Sequence, residues 1–159
     1  MKTNARIASS LCAAVVLLLT ASAALAAGPY QFFSVTPCRL VDTRGPTGVT
    51  GGPSLVGNGT RSFPVDVAPT ACGIPSTAAA AVLNFAVVGP TGGGHIRTWP
   101  FNTAMPLVAT LNFDPNEPAI ANGAIVPLTV DPNFQISIFL GTGVGPTADL
   151  VIDITGYFQ

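Results

Sequence analysis

Charge is what this sequence has least of. Aspartate, glutamate, lysine and arginine together make up 8% of its 159 residues, beside one histidine and one tryptophan. Lys2 is the only lysine, so beyond the N-terminus every cation is one of four arginines, Arg39, Arg44, Arg61 and Arg97. Nucleic acids and anionic membranes are bound through clustered positive charge, and four scattered arginines against seven acids argue against both as partners. The lone histidine, His95, follows Gly92-Gly93-Gly94 without a Gly-x-Ser-x-Gly elbow or a His-Glu-x-x-His helix. No catalytic residue is assigned on that basis, the hydrolase reading is the weakest, and too few ligands remain for a zinc ion. No metal and no cofactor are expected. A membrane-spanning run is also missing, because the apolar stretch Ile7 to Leu19 counts 13 residues where ~20 are needed.

That stretch reads instead as part of an export signal. Lys2 and Arg6 give the positive start and Ala24-Leu25-Ala26 the small-residue cleavage site, so residues 1–26 are a signal peptide and residues 27–159 one domain. The expected location is secreted or extracellular, with cell-surface association a further form of it, and with no membrane insertion after cleavage. Cys12 leaves with the signal. Two cysteines then remain, Cys38 and Cys72, and an even count in an oxidising compartment is most simply one disulfide.

Proline and glycine are abundant, 15 and 17 residues, all of them after residue 26. Helices of any length have little room among them. The stretches between are rich in Val, Ile, Leu, Phe and Thr, and several alternate; Phe134, Ile136, Ile138 and Leu140 point one way with Gln135 and Ser137 opposite. Strands are expected over 30–35, 38–43, 61–67, 80–88, 96–101, 107–113, 124–130, 134–140 and 150–158. About nine short strands predict an all-β fold, a single β-sandwich of jelly-roll or immunoglobulin-like type. The run 80–88 is apolar on both faces and suits a central strand, with Asn84 in need of partners. Pro64 lacks a ladder donor and places 61–67 at an edge. The Gly-rich stretch 45–59 reads as an exposed loop and the region most open to motion.

Within this apolar background, Val35 to Arg44 concentrates a cysteine, two arginines and an aspartate. Strict alternation along a strand sets Cys38, Leu40, Asp42 and Arg44 on one face and Arg39, Val41 and Thr43 on the other. Asp153 is a further acid inside an apolar strand. An arginine facing Asp42 and Asp153 would tie strands together through directional hydrogen bonds, so Arg39, Asp42, Arg44, Asn84 and Asp153 are read as a structural polar network. An acid/base pair of Asp42 and Asp153 is the other option, disfavoured because arginines depress carboxylate pKa values. Two Asp-Pro-Asn tripeptides, at 114–116 and 131–133, could offer oxygens to calcium, although Asp before a turn more often caps its own backbone. Arg97 and Trp99 share one strand face, expected to be half exposed and open to a ligand such as a sugar ring; Tyr30, Tyr157 and Phe101 could add to that platform.

The segments Val35-Thr36-Pro37-Cys38-Arg39-Leu40-Val41-Asp42-Thr43-Arg44, Cys72-Gly73-Ile74-Pro75, Leu83-Asn84-Phe85, Leu111-Asn112-Phe113 with Ala121-Asn122, and Ile152-Asp153-Ile154-Thr155-Gly156-Tyr157-Phe158 resemble a domain found in many bacterial exported proteins. The likeness covers nearly all of residues 27–159. In that group the domain occurs alone, in tandem or appended to other secreted proteins, and it brings no catalytic residues to carry over. It implies a β-sandwich-like extracellular module whose shared polar residues are structural. The function expected is therefore a non-catalytic structural, adhesive or assembly role at a bacterial surface. A surface protein or a polysaccharide is the expected partner, with self-association through an exposed strand edge such as 61–67 a specific form of it; the alternative is a carbohydrate-binding module.

Overall fold

The computed structural model describes residues 29–66, 72–115 and 117–159; the signal and cleavage site read above lie outside the described residues, as does Val67. The described chain holds nine strands and no helix: β1 (Phe32–Asp42), β2 (Leu55–Val56), β3 (Thr60–Phe63), β4 (Ala80–Val88), β5 (Gly94–Pro100), β6 (Leu111–Phe113), β7 (Ala119–Pro127), β8 (Ile136–Gly141) and β9 (Thr147–Phe158). They form two antiparallel sheets. One runs β1-β9-β4-β7, with β2 pairing the start of β9, and the other runs β3-β8-β5-β6. With β2 set aside, the first strand pairs the last and the order continues inward through β3 with β8, β4 with β7 and β5 with β6. That rolled-hairpin order is a jelly roll.

The period-2 pattern explains how the sheets close on one another. Ala81, Leu83, Phe85 and Val87 of β4 and Ala148, Leu150, Ile152 and Ile154 of β9 are buried on one inner face, against Phe63, Ile96, Ile136, Ile138 and Leu140 on the other. Each large apolar side chain buried in this way stabilises the fold by ~1.5–3 kcal/mol. Because β4 lies between β9 and β7, its outward residues are half covered as well, as its two-sided apolar sequence requires. β8 goes further. Gln135 and Ser137, set opposite the apolar series by alternation, are both buried: Ser137 meets Ser62 of β3 at 2.9 Å between hydroxyls, and Gln135 is bound by three backbone groups.

Several boundaries differ from the sequence reading, each for a local reason. The strands expected at 30–35 and 38–43 are one strand, β1, because two register breaks opposite β9 absorb Pro37 and Leu40. The expected 107–113 strand is reduced to Leu111–Phe113, since β5 pairs β6 over Gly94 to Ile96 alone. β7 begins earlier than expected, at Ala119, and follows β4 residue for residue without a register break. Pro64 does end the ladder of β3, which pairs β8 only and is an edge strand.

Candidate functional site

The charged segment sits where β1 meets β9. The register break between Arg39 and Val41 inserts Leu40 as an extra residue, so Leu40 and Val41 are both buried and Arg39 comes out on the same face as Asp42. This corrects the alternation drawn from sequence, which set Arg39 on the opposite side. Arg39 is the bridging arginine: its Nε donates to Asp153 on β9 and its Nη1 donates to Asp42 at 2.9 Å. Arg44 grips the same carboxylate from the other side, Nε to Oδ1 at 2.7 Å and Nη2 to Oδ2 at 2.6 Å, a two-pronged geometry that only a guanidinium provides. These bonds hold the Asp42 carboxyl at about 2, below its ordinary 3.8, with the Arg44 hydrogen bond the largest cause. A general acid needs the opposite shift. Asn84 lies beside Asp153 in the next strand, yet its amide makes no hydrogen bond to the described residues.

A second carboxylate node was not singled out from sequence. Asp149 Oδ1 accepts from the Thr43 hydroxyl at 3.0 Å and the Ser54 hydroxyl at 2.7 Å, while Thr43 Oγ1 in turn accepts from the Leu150 amide. It joins the end of β1, the approach to β2 and the start of β9. The disulfide Cys38–Cys72 is present, tying β1 to the connection between β3 and β4, with Cα atoms 5.7 Å apart.

Arg61 explains why the Gly-rich stretch 45–59 is structured. Its guanidinium donates to the carbonyls of Pro53 at 2.7 Å, Gly48 at 2.7 Å and Gly51 at 2.6 Å, with Val49 and Gly52 at 3.3 Å, and it stacks on the Phe63 ring. Backbone bonds from Gly48 to the Gly52 carbonyl and from Gly52 to the Pro46 carbonyl complete the turn. Burial pushes the Arg61 pKa down, and no carboxylate among the described residues pairs with it. The loop read from sequence as the one most open to motion is thus wound around a cation. A single arginine sixteen residues after Gly45 carries no sequence signal for this.

Arg97 and Trp99 face away from the core, as their neighbours Thr98 and Ile96 pair with the buried Ile138 and Leu140. Trp99 is nevertheless only 8% exposed. Asn102 adopts a left-handed φ of 59°, which asparagine tolerates, and the chain turns back so that the Thr103 carbonyl accepts the indole N–H at 3.1 Å. Arg97 is engaged as well: its Nε donates to His95 Nε2 at 3.1 Å, its Nη1 to the Pro106 carbonyl at 3.3 Å, and it lies over the Phe139 ring. Burial, followed by the Arg97 charge, lowers the His95 pKa, in the direction that suits Nε2 as the acceptor of the Arg97 hydrogen bond. The half-exposed stacking surface expected at Trp99 is therefore not presented. The Asp131 turn caps itself, its Oδ1 accepting from the amides of Asn133 and Phe134 at 2.8 and 3.0 Å.

The flank between β6 and β7 is open. A groove of about 470 Å³ runs there, walled by Trp99, Pro106 and Val108 on one side and Asn122, Ile125 and Pro127 on the other, with no ionisable side chain in its lining. The Asn122 amide, donating to the Thr110 carbonyl at 2.7 Å, crosses it. In comparisons with known proteins, no family model matches this chain and no curated protein matches it either.

Proposed function

We propose that this chain is a non-catalytic extracellular module that acts in structure, adhesion or assembly at a bacterial surface, with a surface protein or polysaccharide as partner. The observation that carries the reading is the use to which the scarce charges are put. Each of the four arginines among the described residues is engaged inside the molecule: Arg39 and Arg44 with carboxylates, Arg61 with carbonyls, and Arg97 with His95 and Pro106. Asp153 and Asp149 hold strands together, and Asp42 ties the two arginines at the end of β1. Reactive groups spent on cross-strand links suit durability outside the cell, as does the disulfide. Fractionating the native host tests this: protein in the medium or on the cell surface supports it, and protein confined to the cytoplasm ends it.

Carbohydrate binding is the second reading, and the exposed aromatic side chains at the start of β1 favour it over Trp99. Tyr30 and Phe32 are both exposed, and the Phe32 ring lies across Gly156, where any Cβ would collide with it. An exposed aromatic ring packed beside a glycine offers a surface on which a sugar ring can stack. On a glycan array the wild-type signal would fall in Phe32→Ala and persist in Trp99→Phe; equal signals from all three proteins would remove the aromatic face from the account.

A further inference from the structure

Four strands lie at sheet edges beside the short β2, and three of them carry devices that keep a strand from pairing with another molecule. β1 has two register breaks, Pro37, the charges of Arg39 and Asp42, and a disulfide. β3 is four residues long, ends at Pro64, and is flanked by the loop bound to Arg61. β6 is three residues long and runs into Asp114 and Pro115. β7 is the exception: nine residues, Ala-Ile-Ala-Asn-Gly-Ala-Ile-Val-Pro, with no charge, no bulge and proline only at the last position. Its outer backbone groups bond to none of the described residues; the hydrogen bond that crosses beside its edge is from the Asn122 side chain to the Thr110 carbonyl. Natural sheets leave such an edge bare where another strand is to be added.

We propose that β7 is a dimerisation edge, on which a second copy of this chain pairs β7 against β7, antiparallel, about a two-fold axis at Gly123. The inference rests on the assembly form of the reading above. The register follows from the strand itself. Opposite residues in a two-fold antiparallel pair must face the same side of the sheet, so the axis passes through a residue, and only the middle one, Gly123, brings all nine into the pair. Asn122 then faces Ala124 of the second copy, Ala121 faces Ile125, and Ile120 faces Val126, so apart from the uncharged Asn122 apolar side chains meet apolar ones, and no like charges meet. A strand edge alone falls short of the ~1,600 Å² usual for a stable interface. The apolar surface that would make up the difference is beside it: Ile125 is 61% exposed, and Leu107 and Val108 of the loop along the groove are 89% and 72% exposed. The two four-strand arrays would become one sheet of eight strands abreast.

Sedimentation of the protein from about 1 µM to 1 mM, a span covering weak homodimers, tests this together with two substitutions at the axis. A Cβ at Gly123 would meet only the Leu83 carbonyl, at 3.9 Å, so the position accepts side chains in the single chain. The wild-type protein is expected to shift from monomer to dimer. Gly123→Lys places two ammonium groups directly opposite and should remain monomeric at an unchanged melting temperature. Gly123→Cys should form an intermolecular disulfide in air that wild type does not, because paired Cα atoms lie about 4.5–5.5 Å apart, within disulfide reach. A wild-type chain that stays monomeric throughout overturns the proposal, as does a dimer that survives Gly123→Lys without a Gly123→Cys crosslink. A monomer found on the cell surface would remove the dimer and leave the extracellular reading intact; a dimer found in a cytoplasmic protein would do the reverse.

Discussion

Between β1, β2 and β3 the sandwich is closed by a guanidinium wrapped in carbonyls, two carboxylate nodes and a disulfide. Between β6 and β7 it is closed by one side-chain hydrogen bond and apolar contact. The first flank uses directional links, which fix strand against strand and loop against sheet. The second uses an interaction that is strong but non-directional, and it leaves a groove and a bare edge. The chain thus concentrates its cross-linking charges on one side. Charge on β7 would block pairing with another strand, whereas on β1 it does the protective work that the long, otherwise exposed edge needs.

Four variants would break or sharpen this contrast. The largest effect is expected from replacing both Cys38 and Cys72 with serine. The bridge spans 34 residues, and closing such a loop stabilises a fold by ~4 kcal/mol in the chain-entropy model. A loss of about 2–4 kcal/mol in urea unfolding is expected; a loss under ~1 kcal/mol would mean that the ion cluster alone secures β1. Next is Arg61→Met, which keeps the stem and removes the donors. Leaving the inward carbonyls without their cation should cost about 2–3 kcal/mol and speed hydrogen exchange at Gly48 and Gly52, whose amides are bonded within that turn. Unchanged exchange there would show that the backbone turn stands without Arg61.

Asp42→Asn should have a smaller effect, roughly 1–2 kcal/mol at pH 7 once solvent screening is allowed for, and one that depends on pH. The folded carboxyl titrates at about 2, against an ordinary 3.8. Its contribution is complete above the ordinary value and is lost as pH falls toward 2. The gap between wild type and Asp42→Asn should therefore be full at pH 6 and nearly closed at pH 2, read by chemical denaturation at each pH; a gap independent of pH would mean that the lost interaction is not ionic. On the other flank, Asn122→Ala removes a partly solvated bond and should cost under ~1 kcal/mol. A loss as large as that of Arg61→Met would erase the contrast between the flanks.

What could be read from the chain follows from how local each feature is. β4 was legible from Ala80 to Val88 because an apolar run bounded by turn residues has one extended solution, and its inner and outer faces follow from the period of two. The edge position of β3 was legible from Pro64, which lacks the donor a central strand needs. The polar network of Arg39, Asp42, Arg44 and Asp153 was read as charges too costly to bury unpaired, but the face of Arg39 was not legible, because one inserted residue at Leu40 turns it to the side of Asp42. The exposure of Trp99 and the setting of the 45–59 loop were not legible for a related reason: each depends on a loop path set by contacts distant in sequence. Nor did β7 stand out over its first half, since Ala119 to Gly123 has little strand preference and is held straight by the strand beside it.

The amino-acid sequence by itself determined the all-β class, the core-facing residues of the long strands and the cysteine pair, because these depend on side-chain period, on breakers and on count. Only the tertiary structure decided the jelly-roll order, the face on which Arg39 emerges, the winding of residues 48–53 around Arg61, the burial of Trp99 and the bareness of the β7 edge. Each of these depends on which strand lies next to which, and strand neighbours here are separated by up to the length of the domain: β1 pairs with β9. Local preference carries no information over that distance; the packing of the two sheets does.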